Sequence, residues 1–428
     1  MNKEWLKSAY AEHFTTAPKK VTDLVVDRGA GLCLYTIDGE KYLDFVQGVA
    51  VNALGHCHPA LTAAADAQMK KLGHTSFNLV SYPSALAYAA ELRKWTGRLD
   101  KFFFTNTGAE VVESGLKLAR YITGKNSIIA FKGSFHGRTM GAASVTGSSA
   151  KFRKHYAPFL PQVYFAPYPY CFRCLFHQKP ETCGLDCLEY LTDDFQQIIP
   201  PEDVSVVLME PIMGEGGYVI PPRKYMEALA GLCREKGILL MFDEVQSGLG
   251  RTGRMFAFQH FGIEPDILLL GKAVGGGFPL AVLAGNREIM DQWPAGAHGS
   301  TFGGHPVACA AGLAQLEIIG SPGFLDEVAA KGEYFRQGLR ELMKRRPEIG
   351  EVRGLGLMNA VELVKADGTP DPEKTTSVTA YLFSQKILVY TCGVKGNIIR
   401  FMPPLNVEKS AFDRLLEALD QGFSVSAD

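Results

Sequence analysis

Asp243 and Lys272 each follow a strongly apolar run. Ile238-Leu-Leu-Met-Phe242 gives way to Asp243-Glu244-Val245-Gln246, and Ile267-Leu-Leu-Leu270 gives way to Gly271-Lys272, with Gly275-Gly276-Gly277 just beyond. Short apolar runs of this kind read as strands buried on both faces of a parallel sheet, and such sheets bind ligands beyond the carboxyl ends of their strands. A carboxylate and an amine therefore leave the sheet at one edge. A lysine partly withdrawn from water at that edge has a lowered pKa, which suits its amine to Schiff-base formation. The bland alternative is an Asp–Lys ion pair on the sheet rim, which would stabilise little.

A third run, Phe102-Phe103-Phe104, ends in Thr105-Asn106-Thr107-Gly108-Ala109-Glu110. A helix is predicted to follow, with Val112, Gly115, Leu116 and Ala119 on one face and Glu113 and Lys117 spaced as an i,i+4 ion pair. A strand, a short turn through Gly108 and Ala109 and a helix N-terminus together offer free backbone N–H groups to a phosphate. Such a turn can also merely cap its helix. No Gly-x-x-x-x-Gly-Lys-Ser/Thr or Gly-x-Gly-x-x-Gly pattern occurs here, so a nucleotide is not the indicated source of the phosphate. Phosphate cradle, Schiff-base lysine and carboxylate are jointly what pyridoxal phosphate needs: an anchor, a covalent holder and an acid that keeps the ring nitrogen protonated.

The elements that must position these groups alternate along the chain. Ser127–Phe131 and Val204–Met209 add further buried strands, separated by helical stretches. Before them, Cys33–Ile37 and Lys41–Phe45 flank Asp38-Gly39 and read as a hairpin. The expected architecture is α/β: a large domain over 60–323, with a mostly parallel central sheet flanked by helices, and a smaller α+β domain built from 1–59 and 324–428. The 44 basic and 45 acidic side chains nearly cancel and form no basic stripe, which argues against nucleic acid or an anionic membrane as partner. Met1 to Thr16 contain no continuous apolar segment, and no run approaches the ~20 apolar residues that cross a bilayer. A soluble, cytoplasmic protein is expected.

Of nine cysteines, Cys33, Cys57, Cys233, Cys309 and Cys392 are scattered and read as small, buried, reduced side chains. Cys171, Cys174, Cys183 and Cys187 are clustered. Their thiolates could converge on zinc or an iron–sulfur centre, with His177 as a further candidate ligand, or remain free or redox-active.

Five ordered stretches resemble the class III (subgroup II) pyridoxal-phosphate aminotransferases. They are Thr105-Asn-Thr-Gly-Ala-Glu-Val-Val-Glu113, Ser134-Phe-His-Gly-Arg-Thr139, Glu210-Pro-Ile-Met-Gly-Glu-Gly-Gly217, Phe242-Asp-Glu-Val-Gln-Ser-Gly248 and Gly299-Ser-Thr-Phe-Gly-Gly304. The resemblance implies fold type I and a homodimer, or a tetramer made of two such dimers, with active sites at the subunit interface. It implies that Lys272 holds the cofactor covalently and Asp243 pairs with the pyridinium nitrogen. Gly108 and Ala109 would bind phosphate with Thr301 of the neighbouring subunit, Phe135 would stack on the ring and Gln246 would sit near its phenolic oxygen.

Around Arg138, Glu215 and Arg400 the chain is similar to 4-aminobutyrate aminotransferases. This implies that Arg138 takes a distal carboxylate and that Glu215 gates Arg400, which is freed for the α-carboxylate of glutamate or 2-oxoglutarate. The implied reaction is a ping-pong transfer from an ω-amino acid to 2-oxoglutarate. Racemases or epimerases and acetylornithine or ornithine aminotransferases of the same family are the alternatives, and a non-catalytic cofactor-binding regulator is the remaining one. In the racemases an aspartate stands at the position of Glu215, so glutamate favours transfer. One departure is His305, where the family usually has Asn; a hydrogen bond from its ring to backbone is expected.

Overall fold

The computed structural model describes residues 3–18 and 20–424; Met1, Asn2, Lys19 and residues 425–428, which fall in the expected small domain, lie outside the described residues. Its central sheet has seven strands in the spatial order Lys101–Thr105, Ala281–Gly285, Ile267–Leu270, Leu239–Asp243, Val204–Met209, Ser127–Phe131 and Val163–Ala166. Ala281–Gly285 runs antiparallel to both neighbours and the remaining pairings are parallel. Six strands consequently point the same way and deliver their carboxyl ends to one edge.

Apolar residues alternate between the two faces because successive strand side chains point oppositely. Val207, Met209, Leu240, Phe242, Leu268 and Leu270 join one core cluster, whereas Val206, Leu208, Met241, Ile267 and Leu269 join the other. Both faces are covered, which is why these segments read as unbroken apolar runs. The sequence reading lacked Val163–Ala166 and Ala281–Gly285. The first is only half-buried along most of its length and the second is rich in small residues, so neither carries the strong apolar signal of the others.

The helix Gly108–Thr123 forms as expected, with Thr107 as N-cap accepting from the Glu110 N–H at 3.2 Å. Its apolar face lies on the sheet. Gly115 permits the close approach, since a Cβ there would stand 2.9 Å from Met241 Sδ. The expected Glu113–Lys117 pair does not form. Glu113 instead accepts from the Thr139 hydroxyl (2.7 Å) and the Gly141 N–H (2.9 Å), while Lys117 meets His298. The hydroxyl and backbone donors at the start of the Met140–Val145 helix outcompete a solvated ion pair of small value.

The hairpin Cys33–Thr36 and Lys41–Asp44 is present, with Cys33 opposite Leu43, and Lys41–Asp44 also pairs in parallel with Ile387–Leu388. A third, antiparallel sheet orders Ile349–Leu355, Met358–Leu363, Ile398–Phe401 and Tyr390–Cys392. Along Ile398–Phe401 the alternation sends Ile399 and Phe401 into the main core and Ile398 into a smaller cluster with Tyr218 and Met402. Arg400 shares that second face. Among the described residues no single helix is long and apolar enough to cross a membrane.

Candidate active site

The strand ends enclose a cavity of about 350 Å³. Lys272, Asp243, Gly108, Ala109, Phe135, Gln246, Arg138, Glu215 and Arg400, all singled out from sequence, line it together. Distant segments therefore converge on one space.

Lys272 follows Leu270 and Gly271 and opens a short turn with its own backbone in the left-handed region (φ 49°). A non-glycine residue held there costs about 1–3 kcal/mol, which the surrounding packing must supply. Burial lowers the Lys272 pKa, while Asp243 and Glu210 act against that fall. The amine is thereby brought nearer its neutral, nucleophilic form.

Asp243 closes the strand Leu239–Asp243. Its Oδ1 accepts the Val245 N–H at 3.0 Å, and its Oδ2 accepts from His136 Nδ1 at 2.7 Å. That geometry assigns the proton to Nδ1 and leaves the buried His136 Nε2 without a partner among the described residues. A carboxylate so fixed, with a histidine behind it, can hold a protonated ring nitrogen at a set position. Glu210 lies close by; burial pushes its carboxyl up to about 7, Asp243 adding to the rise and His136 opposing it. The adjacent Glu244 has a different task, since it accepts the Ala257 and Phe258 N–H groups at 2.6 and 2.7 Å. It is structural.

Gly108 and Ala109, also lining the cavity, open their helix, so their N–H groups have no intrahelical acceptor and can face a phosphate. Gly137, at φ 132°, crosses so near that a Cβ would meet Ala109 Cβ at 2.8 Å. Gln246 Oε1 is buried without a hydrogen-bond partner among the described residues. Phe135 is half-buried and packs edge-on against Phe152 at 5.5 Å. A phosphate cradle, an orphaned amide, an acid and a lysine with depressed pKa fit pyridoxal phosphate.

The two arginines differ in state. Arg400 is fully buried; one terminal nitrogen donates to Glu215 Oε2 at 2.6 Å, while its Nε and other terminal nitrogen have no partner among the described residues. Burial works against its charge, but Cys392, Glu215 and Tyr218 outweigh that and hold the guanidinium protonated. Arg138 is exposed at the cavity mouth, 4.7 Å over the Phe152 ring, and no carboxylate pairs with it among the described residues.

Thr301 lies outside this cavity and is exposed, next to exposed Phe302. The His305 ring, expected on a backbone acceptor, stacks instead on His74 at 5.4 Å. Cys57, expected buried, is exposed. Of the two readings of the four clustered cysteines, the zinc or iron–sulfur site does not form: among the described residues, no group of three or more His, Cys, Asp or Glu could hold a metal ion. Cys171 starts a short turn, Cys183 Sγ accepts its own loop's Leu185 N–H at 3.3 Å and Cys187 rides the first turn of Asp186–Gln197. Local backbone geometry thus sets these thiols. Burial, reinforced by Cys183, pushes the Cys187 thiol up to about 12.

Sequence reasoning missed His136, Glu210, Val49 and Tyr390 as cavity residues. Glu210 follows Val204–Met209 as Asp243 closes its own strand, so the strand-end criterion would have found it. Val49 comes from the short helix Gln47–Ala50 and Tyr390 from the third sheet, and neither carried a comparable signal.

The family described as Aminotransferase class-III matches residues 15–423. The chain is 35% identical over 404 residues to the probable 4-aminobutyrate aminotransferase of Bacillus subtilis, covering 92% of each protein. It is 35% identical over 428 residues to the isoleucine 2-epimerase of Lentilactobacillus buchneri, covering 99% of this chain and 93% of that one. The crystal structure of ornithine aminotransferase from Toxoplasma gondii, with partial occupancy of PLP at its active site, superposes with a TM-score of 0.86 at 30% identity, over 99% of this chain and 94% of the other.

Proposed function

We propose, for a chain that belongs to the class III aminotransferases and is thus a pyridoxal-phosphate-dependent transaminase, that the amino group of an ω-amino acid such as 4-aminobutyrate is passed to 2-oxoglutarate in two half-reactions. The observation that carries this reading is the contrast between the arginines. Arg138 offers an unpaired charge at the mouth, where a distal carboxylate can dock. Arg400 lies deeper and is neutralised by Glu215, so an ω-amino acid, which brings no second carboxylate, leaves no buried charge bare.

When bound, pyridoxal phosphate supplies an aldehyde for the amine and a protonated ring that accepts electron density from the substrate carbon. Lys272 would hold the cofactor and, once displaced, carry the proton removed from that carbon. Asp243, steadied by His136, would keep the ring nitrogen protonated. Gly108 and Ala109 would hold the phosphate, Phe135 would cover the ring and Gln246 would turn its amide to the phenolic oxygen. In the second half-reaction Glu215 would swing off Arg400 to admit the α-carboxylate. Only the side chain needs to move. The Glu215 carbonyl accepts from the Gly393 N–H at 2.9 Å, and the Gly217 carbonyl accepts from Arg353 Nε at 2.7 Å, which pins the loop on both sides.

We assign Thr301 to the cavity of a second copy in a homodimer. Exposed Leu79 and Val80 lie near it, tied to its loop by the Asn78 side chain on the Ser300 carbonyl at 3.2 Å, and such a bare apolar patch calls for a partner. Epimerisation, the competing reading, needs an acid on the ring face opposite Lys272. Arg400 already engages Glu215, the residue that would have to serve.

The test is a half-reaction screen that follows the cofactor absorbance with 4-aminobutyrate, β-alanine, ornithine and acetylornithine. Rapid conversion by 4-aminobutyrate is expected. In Arg138→Ala the KM for that donor should rise about 10–100-fold, the loss of a charge-assisted pair. Conversion by no donor, together with Cα deuterium exchange on an α-amino acid, would point to a racemase instead.

A further inference from the structure

One enclosed carboxylate joins two walls of the cavity. Glu210, only 5% exposed, accepts the Phe135 N–H on Oε1 and the Gly214 N–H on Oε2, each at 2.8 Å. Its backbone carbonyl accepts from the Tyr168 hydroxyl at 2.9 Å. No Lys or Arg pairs with it among the described residues. A buried carboxylate without a counter-cation is costly unless its lone pairs are filled. Here two backbone donors fill them, and both belong to loops that carry cavity residues. The first loop bears Phe135 and Arg138; the second bears Glu215. The contact is also tight: a Cβ on Gly214 would stand 3.0 Å from both Glu210 Oε2 and Gln246 Oε1.

We propose that Glu210 is a positioning residue, a two-pronged staple that fixes the Glu215 loop against the Phe135 loop and so decides how completely Glu215 neutralises Arg400. This rests on the amine-transfer reading of the same site. The staple matters unequally to the two half-reactions. The ω-amine half-reaction needs Glu215 on Arg400, whereas the keto-acid half-reaction begins when that pair opens.

Glu210→Gln keeps the shape but turns an amide NH2 toward one of the two backbone donors, so one bond is lost. Gly214→Ala disturbs the same bond from the other side, at a position whose backbone is not in the left-handed region. Both variants are to be studied as holoenzyme, with the two half-reactions measured separately and with glutarate, an unreactive dicarboxylate, titrated against the cofactor absorbance. In Glu210→Gln the KM for 4-aminobutyrate should rise about tenfold, and glutarate should bind about tenfold more tightly because Arg400 is released. The KM for 2-oxoglutarate should hold or fall, and Gly214→Ala should reproduce the pattern. A merely structural role would weaken both half-reactions and glutarate alike, and that result, or no change in any of the three, overturns the proposal. If the wild type converts no ω-amine yet Glu210→Gln still tightens glutarate, the staple stands and the amine-transfer reading falls.

Discussion

Lys272→Ala is expected to reduce turnover by about 10⁴-fold, since one substitution would remove both the proposed covalent holder of the cofactor and the proposed carrier of the proton. The chain should still fold. Lys272 faces the cavity rather than the packed core, and alanine at φ 49° inherits the backbone strain already present. The phosphate contacts proposed for Gly108 and Ala109 would not involve the lysine, so cofactor should still bind, reversibly. The check is a pair of measurements: steady-state rate, and cofactor retained after dialysis. A variant that keeps its rate would remove the enzyme reading, and a variant with no rate that still controls a partner would favour a cofactor-binding regulator.

Asp243→Asn should lower kcat in both half-reactions by about 10²–10³-fold while leaving KM values nearly unchanged. The substitution preserves shape but removes the charge that would keep the ring nitrogen protonated. It also leaves the Val245 N–H or His136 Nδ1 facing an amide where it had a carboxylate. An equal fall in both half-reactions separates this residue from Glu210, whose replacement should divide them. Stopped-flow rates with amine and with keto acid provide the comparison. A loss confined to one substrate would mean that Asp243 serves binding rather than the ring.

Much of this could be read from the chain because fold and site share one cause. A parallel strand covered on both faces must be apolar throughout, so Val204–Met209 and Ile267–Leu270 announce themselves, and a polar residue at such a strand's end stands out. Asp243 and Lys272 were visible for that reason, and Gly108 and Ala109 because a strand and an amphipathic helix bracket them. Arg138, Glu215 and Arg400 had no such signal from periodicity and came only through the family resemblance. The ring of His136 was hidden in a stretch already noted, because a hydrogen bond to Asp243 spans 107 positions and no local pattern records it. The Glu113–Lys117 pair failed for a related reason: spacing on a helix shows which side chains could meet, not which loop will compete for them. The cysteines mark a similar limit, since four thiols close in sequence suggest a metal site without sufficing for one, and their directions are set by turns that spacing does not specify.

The most direct measurement traps the cofactor where it is held. The purified holoenzyme is reduced with borohydride and digested, and the phosphopyridoxyl group is mapped by mass spectrometry. A single labelled peptide carrying the group on Lys272 is the expected result. Label on a different lysine, or none despite bound cofactor, would contradict the account at its root.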